Sequence, residues 1–185
     1  MASAAQAIPE NLVMAGSVCR STQPLWYAAY TAPNHEKRVA EQLDCRSIQH
    51  LLPTYESRRR WQDRYKILHL PLFPGYVFVR MALEDRLQVL TIPGVVHLVG
   101  VNHRPSPIPE PEIESVRTCM DRQLRLEPYP YLRVGRRVRV RNGALAGLEG
   151  VLVRKKNRHR LVLSLHLIER AVATEIEASD VVPLY

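Results

Sequence analysis

Leu72-Phe73-Pro74-Gly75-Tyr76-Val77-Phe78-Val79 joins a rigid Pro-Gly bend to a strongly β-forming aromatic run. Pro74 fixes φ and Gly75 permits φ > 0, so the chain can turn sharply before the strand begins, which places Phe73 and Tyr76 at its entrance. Two readings are open for this run alone: an ordinary buried strand, or a strand whose aromatic entrance faces a partner.

Upstream, Leu25 to Ala32 is short, apolar and aromatic, bounded by Pro24 and Pro33, and predicts a central strand. Asn34 is positioned to cap a helix running to about Ile48, with Val39, Ala40 and Leu43 inward. Leu51 to Glu56 resumes extended character. The cationic stretch Ser57-Arg58-Arg59-Arg60-Trp61-Gln62-Asp63-Arg64 and Tyr65 to Leu70 then form a projecting hairpin or long loop leading back to the opening motif.

Downstream, Leu83, Leu87 and Leu90 mark a short helix over Leu83 to Thr91, and Val95 to Val101 a strand. After a proline-punctuated loop, Ile113, Val116, Met120 and Leu124 recur at helical spacing. The first domain is therefore α+β, in order β-α-β-β-α-β-α, over residues 24–124. Residues 125–132, with Pro128 and Pro130, read as a short stiff linker, and residues 1–23 as a flexible tail.

From Arg133 the pattern changes to short strands and closely spaced glycines. Val134, Val138 and Val140 alternate with arginines; Leu161, Leu163, Leu165 and Leu167 alternate again, followed by Val172, Thr174 and Ile176, then Val181 and Val182. Five short strands in residues 133–185 predict a small all-β barrel. Leu161, Leu165, Ile168, Val172 and Ile176 also fit helical spacing, but a helix there would leave Gly143, Gly147 and Gly150 without a role.

The chain has 185 residues, 46% of them apolar, enough for a real core, and a formal net charge of +8. Residues 133–185 carry 11 Lys/Arg against 5 Asp/Glu, so the C-terminal third supplies most of the positive field. That field favours a polyanionic partner or a nucleic-acid-bound assembly. Three cysteines without C-x-x-C spacing argue against a disulfide framework or a zinc ribbon, and fit a reducing cytoplasm. No stretch predicts a signal peptide or membrane span. The seven histidines form no H-E-x-x-H, and the Gly143-to-Gly150 turn lacks the Lys-Ser/Thr of a phosphate loop. An enzyme, a metal site and a cofactor are not expected.

Trp26-Tyr27, the Asn34-to-Leu43 helix, the Leu72-to-Val79 strand, Pro93-Gly94-Val95 and Val138-Arg139-Val140-Arg141-Asn142-Gly143-Ala144-Leu145-Ala146-Gly147-Leu148-Glu149-Gly150-Val151 together resemble the NusG family of transcription elongation factors, an N-terminal NusG domain followed by a KOW (SH3-like) barrel. His35-Glu36-Lys37-Arg38, Arg58-Arg59-Arg60-Trp61, Pro71-Leu72-Phe73-Pro74 and Leu83-Glu84-Asp85-Arg86 are more similar to the specialised UpxY and RfaH type, which suppresses pausing and premature termination on selected operons.

The resemblance implies that Tyr30 and Phe73 form the apolar pocket receiving the RNA polymerase clamp helices, with Trp26, Pro74 and Tyr76 as supports. It places His35, Lys37 and Arg38 where specialised paralogues touch the non-template DNA strand, although Ala32-Pro33 replaces a basic pair of the RfaH-type pattern. From the residues themselves, Arg58, Arg59, Arg60 and Trp61, with Arg64 and Lys66, offer cations and a stacking ring to DNA, nascent RNA or polymerase, or form a solvated face. Leu167, Ile168 and Arg170 occupy the positions by which family KOW domains meet a small-subunit ribosomal protein or Rho; Glu169 replaces the small residue common there, which argues against Rho. The basic run Arg154, Lys155, Lys156, Arg158 and Arg160 is a hairpin tip that either contacts RNA or aids solubility. A cytoplasmic monomer is expected. The competing class is a ribosome-associated or general RNA-binding KOW protein, against which the first domain's lack of the aromatic RNP pattern counts.

Overall fold

A computed structural model of the chain describes residues 23–61, 64–102, 104–131, 135–155 and 158–184. Residues 1–22 of the expected tail lie outside it. The chain begins with strand β1 (Leu25–Thr31), helix α1 (Glu36–Cys45), β2 (His50–Leu51), the ribbon β3 (Thr54–Trp61) and β4 (Arg64–Pro71), and β5 (Tyr76–Met81). Then come a 3-10 turn at Leu83–Asp85, α2 (Arg86–Leu90), β6 (Val95–Leu98), β7 (Gly100–Val101), β8 (Arg104–Pro105) and α3 (Glu110–Asp121). A C-terminal all-β unit follows: β9 (Glu127–Tyr129), β10 (Arg136–Val140), β11 (Glu149–Lys155), β12 (Arg158–Leu165), β13 (Arg170–Ile176) and β14 (Val181–Pro183).

The N-terminal unit is built on an antiparallel sheet of order β2-β5-β1-β6. Alternation along its two central strands sorts the core into two layers. Tyr27, Ala29, Val77 and Val79 pack with Val39 and Leu43 of α1 and Val89 of α2. Trp26, Ala28 and Phe78 face the other way, onto Ile113, Val116 and Cys119 of α3. That second layer continues without a break into Leu161, Leu163, Leu165, Ile168 and Val172 of the C-terminal sheet. Helix α3 is thus buried on two sides, which is why Cys119 joins Ile113 and Val116 as fully buried while Met120 and Leu124 are only partly so.

The C-terminal sheet runs β14-β10-β11-β12-β13-β9, all antiparallel. Its five strands from β10 onward match the expectation, and Leu161 to Ile176 is strand rather than helix apart from a 3-10 turn at His166–Ile168. Close approach explains Gly150: a Cβ there would lie 2.6 Å from the Val162 carbonyl oxygen on the facing strand.

Several sequence expectations are corrected. The residues read as a linker contain β9, whose Glu127, Pro128 and Tyr129 pair with Ala173, Val172 and Ala171 of β13. Pro128, without an N–H, is tolerated because β9 is an edge strand. Asn34 does not cap α1: it sits at φ 62 in a left-handed turn, His35 takes the N-cap position, and no side chain bonds there. The Leu83-to-Thr91 helix opens with a 3-10 turn, which advances 120° per residue instead of 100° and rotates the apolar phase. Val89 is consequently buried, while Leu87 is 64% exposed. The expected strand Val95 to Val101 is divided in two: the Val99 N–H bonds to Ala28 on β1, and Gly100–Val101 turns away to pair with β8.

Candidate functional site

Strand register brings three rings into one row at the end of the N-terminal sheet. Tyr30 on β1 pairs with Tyr76 on β5 and with His97 on β6. The Tyr30 and Tyr76 centroids are 5.5 Å apart at 61°, an edge-on contact, and Tyr30 and His97 are 5.1 Å apart at 35°. Both tyrosines are half-buried and His97 is exposed, so the row has a face to solvent. Pro74, exposed, borders it.

The Pro74-Gly75 bend shapes the row. Gly75 adopts φ 85, and a Cβ there would come within 3.2 Å of Tyr30 Cε2, so glycine lets the backbone lie against the ring. Its N–H donates to Glu36 Oε1 at 2.8 Å, and its carbonyl accepts from the Thr31 N–H at 2.8 Å. Glu36, 6% exposed in the first turn of α1, therefore ties the helix start to the bend, where a carboxylate also complements the helix dipole.

Beneath the row, Trp26 and Phe73 belong to the core. Phe73 is 1% exposed and meets Phe78 edge-on at 5.4 Å; these are the chain's only two phenylalanines. The guanidinium of Arg117 lies 5.3 Å from the centre of the Trp26 ring. The five aromatic-pocket residues read from the sequence thus divide into a surface group, Tyr30, Pro74 and Tyr76, and a supporting pair, Trp26 and Phe73. His97 and Glu36 were missed. His97 follows from strand register, which only the fold supplies; a carboxylate one residue after the helix cap was a legible sign for Glu36.

His35 is half-buried, with Nδ1 3.0 Å from the Pro33 carbonyl, so that nitrogen carries the donated proton and Nε2 is left for other contacts. Lys37 and Arg38 are exposed on the same turn. Arg58 and Arg60 are exposed on the ribbon; the side chains of Arg59 and Trp61 lie outside the described residues. In the C-terminal unit, Arg170 is exposed, Leu167 half-buried and Ile168 buried. Arg160 is no free tip cation, for it reaches Glu127 at 2.9 Å and Glu175 at 4.0 Å. The Lys155, Lys156 and Arg158 side chains lie outside the described residues. A cavity of about 720 Å³ is lined by Leu124, residues 142–145, His159 and the Glu175-to-Asp180 turn, so Glu175 joins it to Arg160.

Burial raises the Tyr27 hydroxyl above its ordinary pKa, and pushes the Cys119 thiol up to about 11 against a smaller opposing pull from Arg122. Both residues are buried. Among the described residues no group of three or more His, Cys, Asp and Glu is placed to hold a metal, and no helix is long and apolar enough to cross a membrane.

The described residues thus form a two-layer α+β unit with an aromatic row at its sheet end, followed by an all-β unit. The family model described as transcription termination factor NusG matches residues 24–117. The chain belongs to the NusG family, whose members are transcription factors and not enzymes. It is 28% identical over 170 residues to the transcription termination/antitermination protein NusG of Lactococcus lactis, covering 84% of this chain and 91% of that one. Against the Escherichia coli K12 protein of the same name it is 28% identical over 177 residues, covering 84% and 94%. A solved structure concerned with domain interaction in Thermotoga maritima NusG superposes with a TM-score of 0.54 at 19% identity, covering 89% of this chain and 99% of that one, a likeness of fold.

Proposed function

We propose that this chain is a specialised NusG-type elongation and antitermination factor of the UpxY/RfaH kind, acting in the cytoplasm on selected operons. Its N-terminal domain binds RNA polymerase across the cleft, and the C-terminal sheet acts as a KOW barrel toward a second partner. The half-exposed row Tyr76–Tyr30–His97, bordered by Pro74, carries this reading. Two large rings already packed on each other lose little side-chain entropy when an apolar helix pair settles on them. Trp26 and Phe73 lie in the core cluster against which Tyr76 packs.

The activity is preferential binding. A factor that favours the closed polymerase by about 1.4 kcal/mol shifts the paused equilibrium about tenfold without making or breaking a bond. His35, Lys37, Arg38 and the ribbon residues Arg58 to Trp61 face the non-template strand or nascent RNA. Leu167 and Arg170, with buried Ile168 behind them, meet a small-subunit ribosomal protein; Glu169, at φ 48 after the 3-10 turn, disfavours Rho.

Run-off transcription on a paused template tests the proposal. Added protein is expected to shorten the pause, and Tyr30→Ala with Tyr76→Ala to abolish the effect with the fold retained. Recovery of ribosomes without polymerase in a pull-down would replace this reading with that of a ribosome-associated protein.

A further inference from the structure

Among the described residues the β3–β4 ribbon joins no larger sheet, and its strands pair only with each other. Alternation gives it two unlike faces. Tyr55, Ser57, Leu68 and Leu70 share one and are partly buried at its base, while Arg64 and Lys66 on the same face near the tip are exposed. The other carries Glu56, Arg58, Arg60, Tyr65, Ile67 and His69, every one exposed. Arg60 stands opposite Tyr65 and Arg58 opposite Ile67, and the Arg58 guanidinium lies 5.8 Å from the Tyr65 ring centre.

This outer face is unlike an ordinary solvated ribbon. Tyr65 is 68% and Ile67 53% exposed, although neighbouring Leu68 and Leu70 already supply the ribbon's covered side. Leaving an aromatic ring and a branched apolar chain in water costs free energy that a polar pair would avoid. Each stands opposite an arginine, and the outer face carries Arg58 and Arg60 against the single carboxylate of Glu56.

We infer that this outer face binds a single nucleic-acid strand, with Tyr65 and Ile67 forming a platform for an unstacked base and Arg58 and Arg60 meeting the flanking phosphates. Cationic charge selects a polyanion, and the ring selects a flat π-face over a bare acidic peptide. Bases in a duplex are stacked inside and offer only their edges, so an exposed ring flanked by cations suits a single strand better. The inference deepens the reading as a transcription factor, on which it rests for the supply of a melted strand. It adds a residue pair, Tyr65 and Ile67, and assigns the work to one face of the ribbon.

Fluorescence anisotropy of the full chain with a short labelled DNA single strand, and with its duplex, at several salt concentrations and without polymerase, tests it. Single strand is expected to bind more tightly than duplex. Tyr65→Ala is expected to weaken single-strand binding roughly tenfold with an unchanged salt slope, and Tyr65→Phe to restore it, since stacking needs the ring and not the hydroxyl. Arg58→Ala and Arg60→Ala are each expected to lower the slope of log K against log salt by about 0.7. Unchanged binding in Tyr65→Ala, duplex bound as well as single strand, or slopes indifferent to both arginines would overturn the inference. Unaltered thermal unfolding of each variant separates lost contact from lost fold. Polymerase capture is a separate readout, so loss of either proposal is distinguishable from loss of the other.

Discussion

Glu112, in the first turn of α3, accepts a hydrogen bond from the His166 backbone N–H at 3.0 Å and a second from His166 Nδ1 at 2.8 Å. The two residues belong to different units, so the pair fastens the helix under the N-terminal sheet to the 3-10 turn after β12. Tyr131 meets the same imidazole edge-on at 6.0 Å. Glu112→Ala is expected to lower stability by about 1 kcal/mol, since the histidine side of the pair is open to water. Hydrogen exchange should report loss of protection at the His166 amide while β10 and β11 stay protected.

Gly75→Ala tests how the bend supports the aromatic row. An alanine at φ 85 is strained by about 1–2 kcal/mol, and its Cβ would press on Tyr30. The denaturation midpoint is expected to fall, and Tyr30 to lose its packing on Tyr76, seen as a change in near-ultraviolet circular dichroism.

Phe73 and Tyr30 should behave differently. Phe73 is fully buried, so Phe73→Ala empties a core site and is expected to cost about 3–5 kcal/mol, with polymerase binding lost alongside the fold. Tyr30→Ala removes a half-exposed ring and should weaken polymerase capture at far smaller cost in stability. Chemical denaturation and polymerase pull-down on the two variants check the split; equal destabilisation would return Tyr30 to a purely structural role.

The cysteines provide a pH test. Of the two cysteines among the described residues, Cys45 is exposed and Cys119 buried, its thiol raised to about 11 by desolvation. The folded protein should alkylate at Cys45 and leave Cys119 unmodified near neutrality, as mass spectrometry would show. Because the folded thiol ionises later than its ordinary value of 9.0, the unfolded state loses protons first. The Cys119 contribution to stability is therefore whole below pH 9 and is lost progressively as pH rises toward about 11.

Local signals carried much of the architecture. The Leu72-to-Val79 strand, α1 and α3, the ribbon and the five C-terminal strands each announce themselves by periodicity, turn residues or alternating arginines. What stayed hidden depends on contacts distant in sequence. Strand β9 carries Pro128 and reads as loop until β13 lies beside it. The division of the pocket residues into surface tyrosines and a buried Phe73 depends on where α3 covers the sheet, and Tyr65 looks like any strand residue until its face proves uncovered. The short helix misled because a 3-10 opening shifts its phase.

Strand β9 has a further consequence. It covers Ala171-Val172-Ala173, an apolar stretch that would otherwise be an open, aggregation-prone edge of the C-terminal sheet. The three residues of β9 also set the length of the tether, since the free chain between α3 and the sheet runs only from Arg122 to Leu126. Reach and edge protection are therefore mutually exclusive: to swing the second unit farther from the first, the protein must unzip β9 and bare a strand able to recruit another.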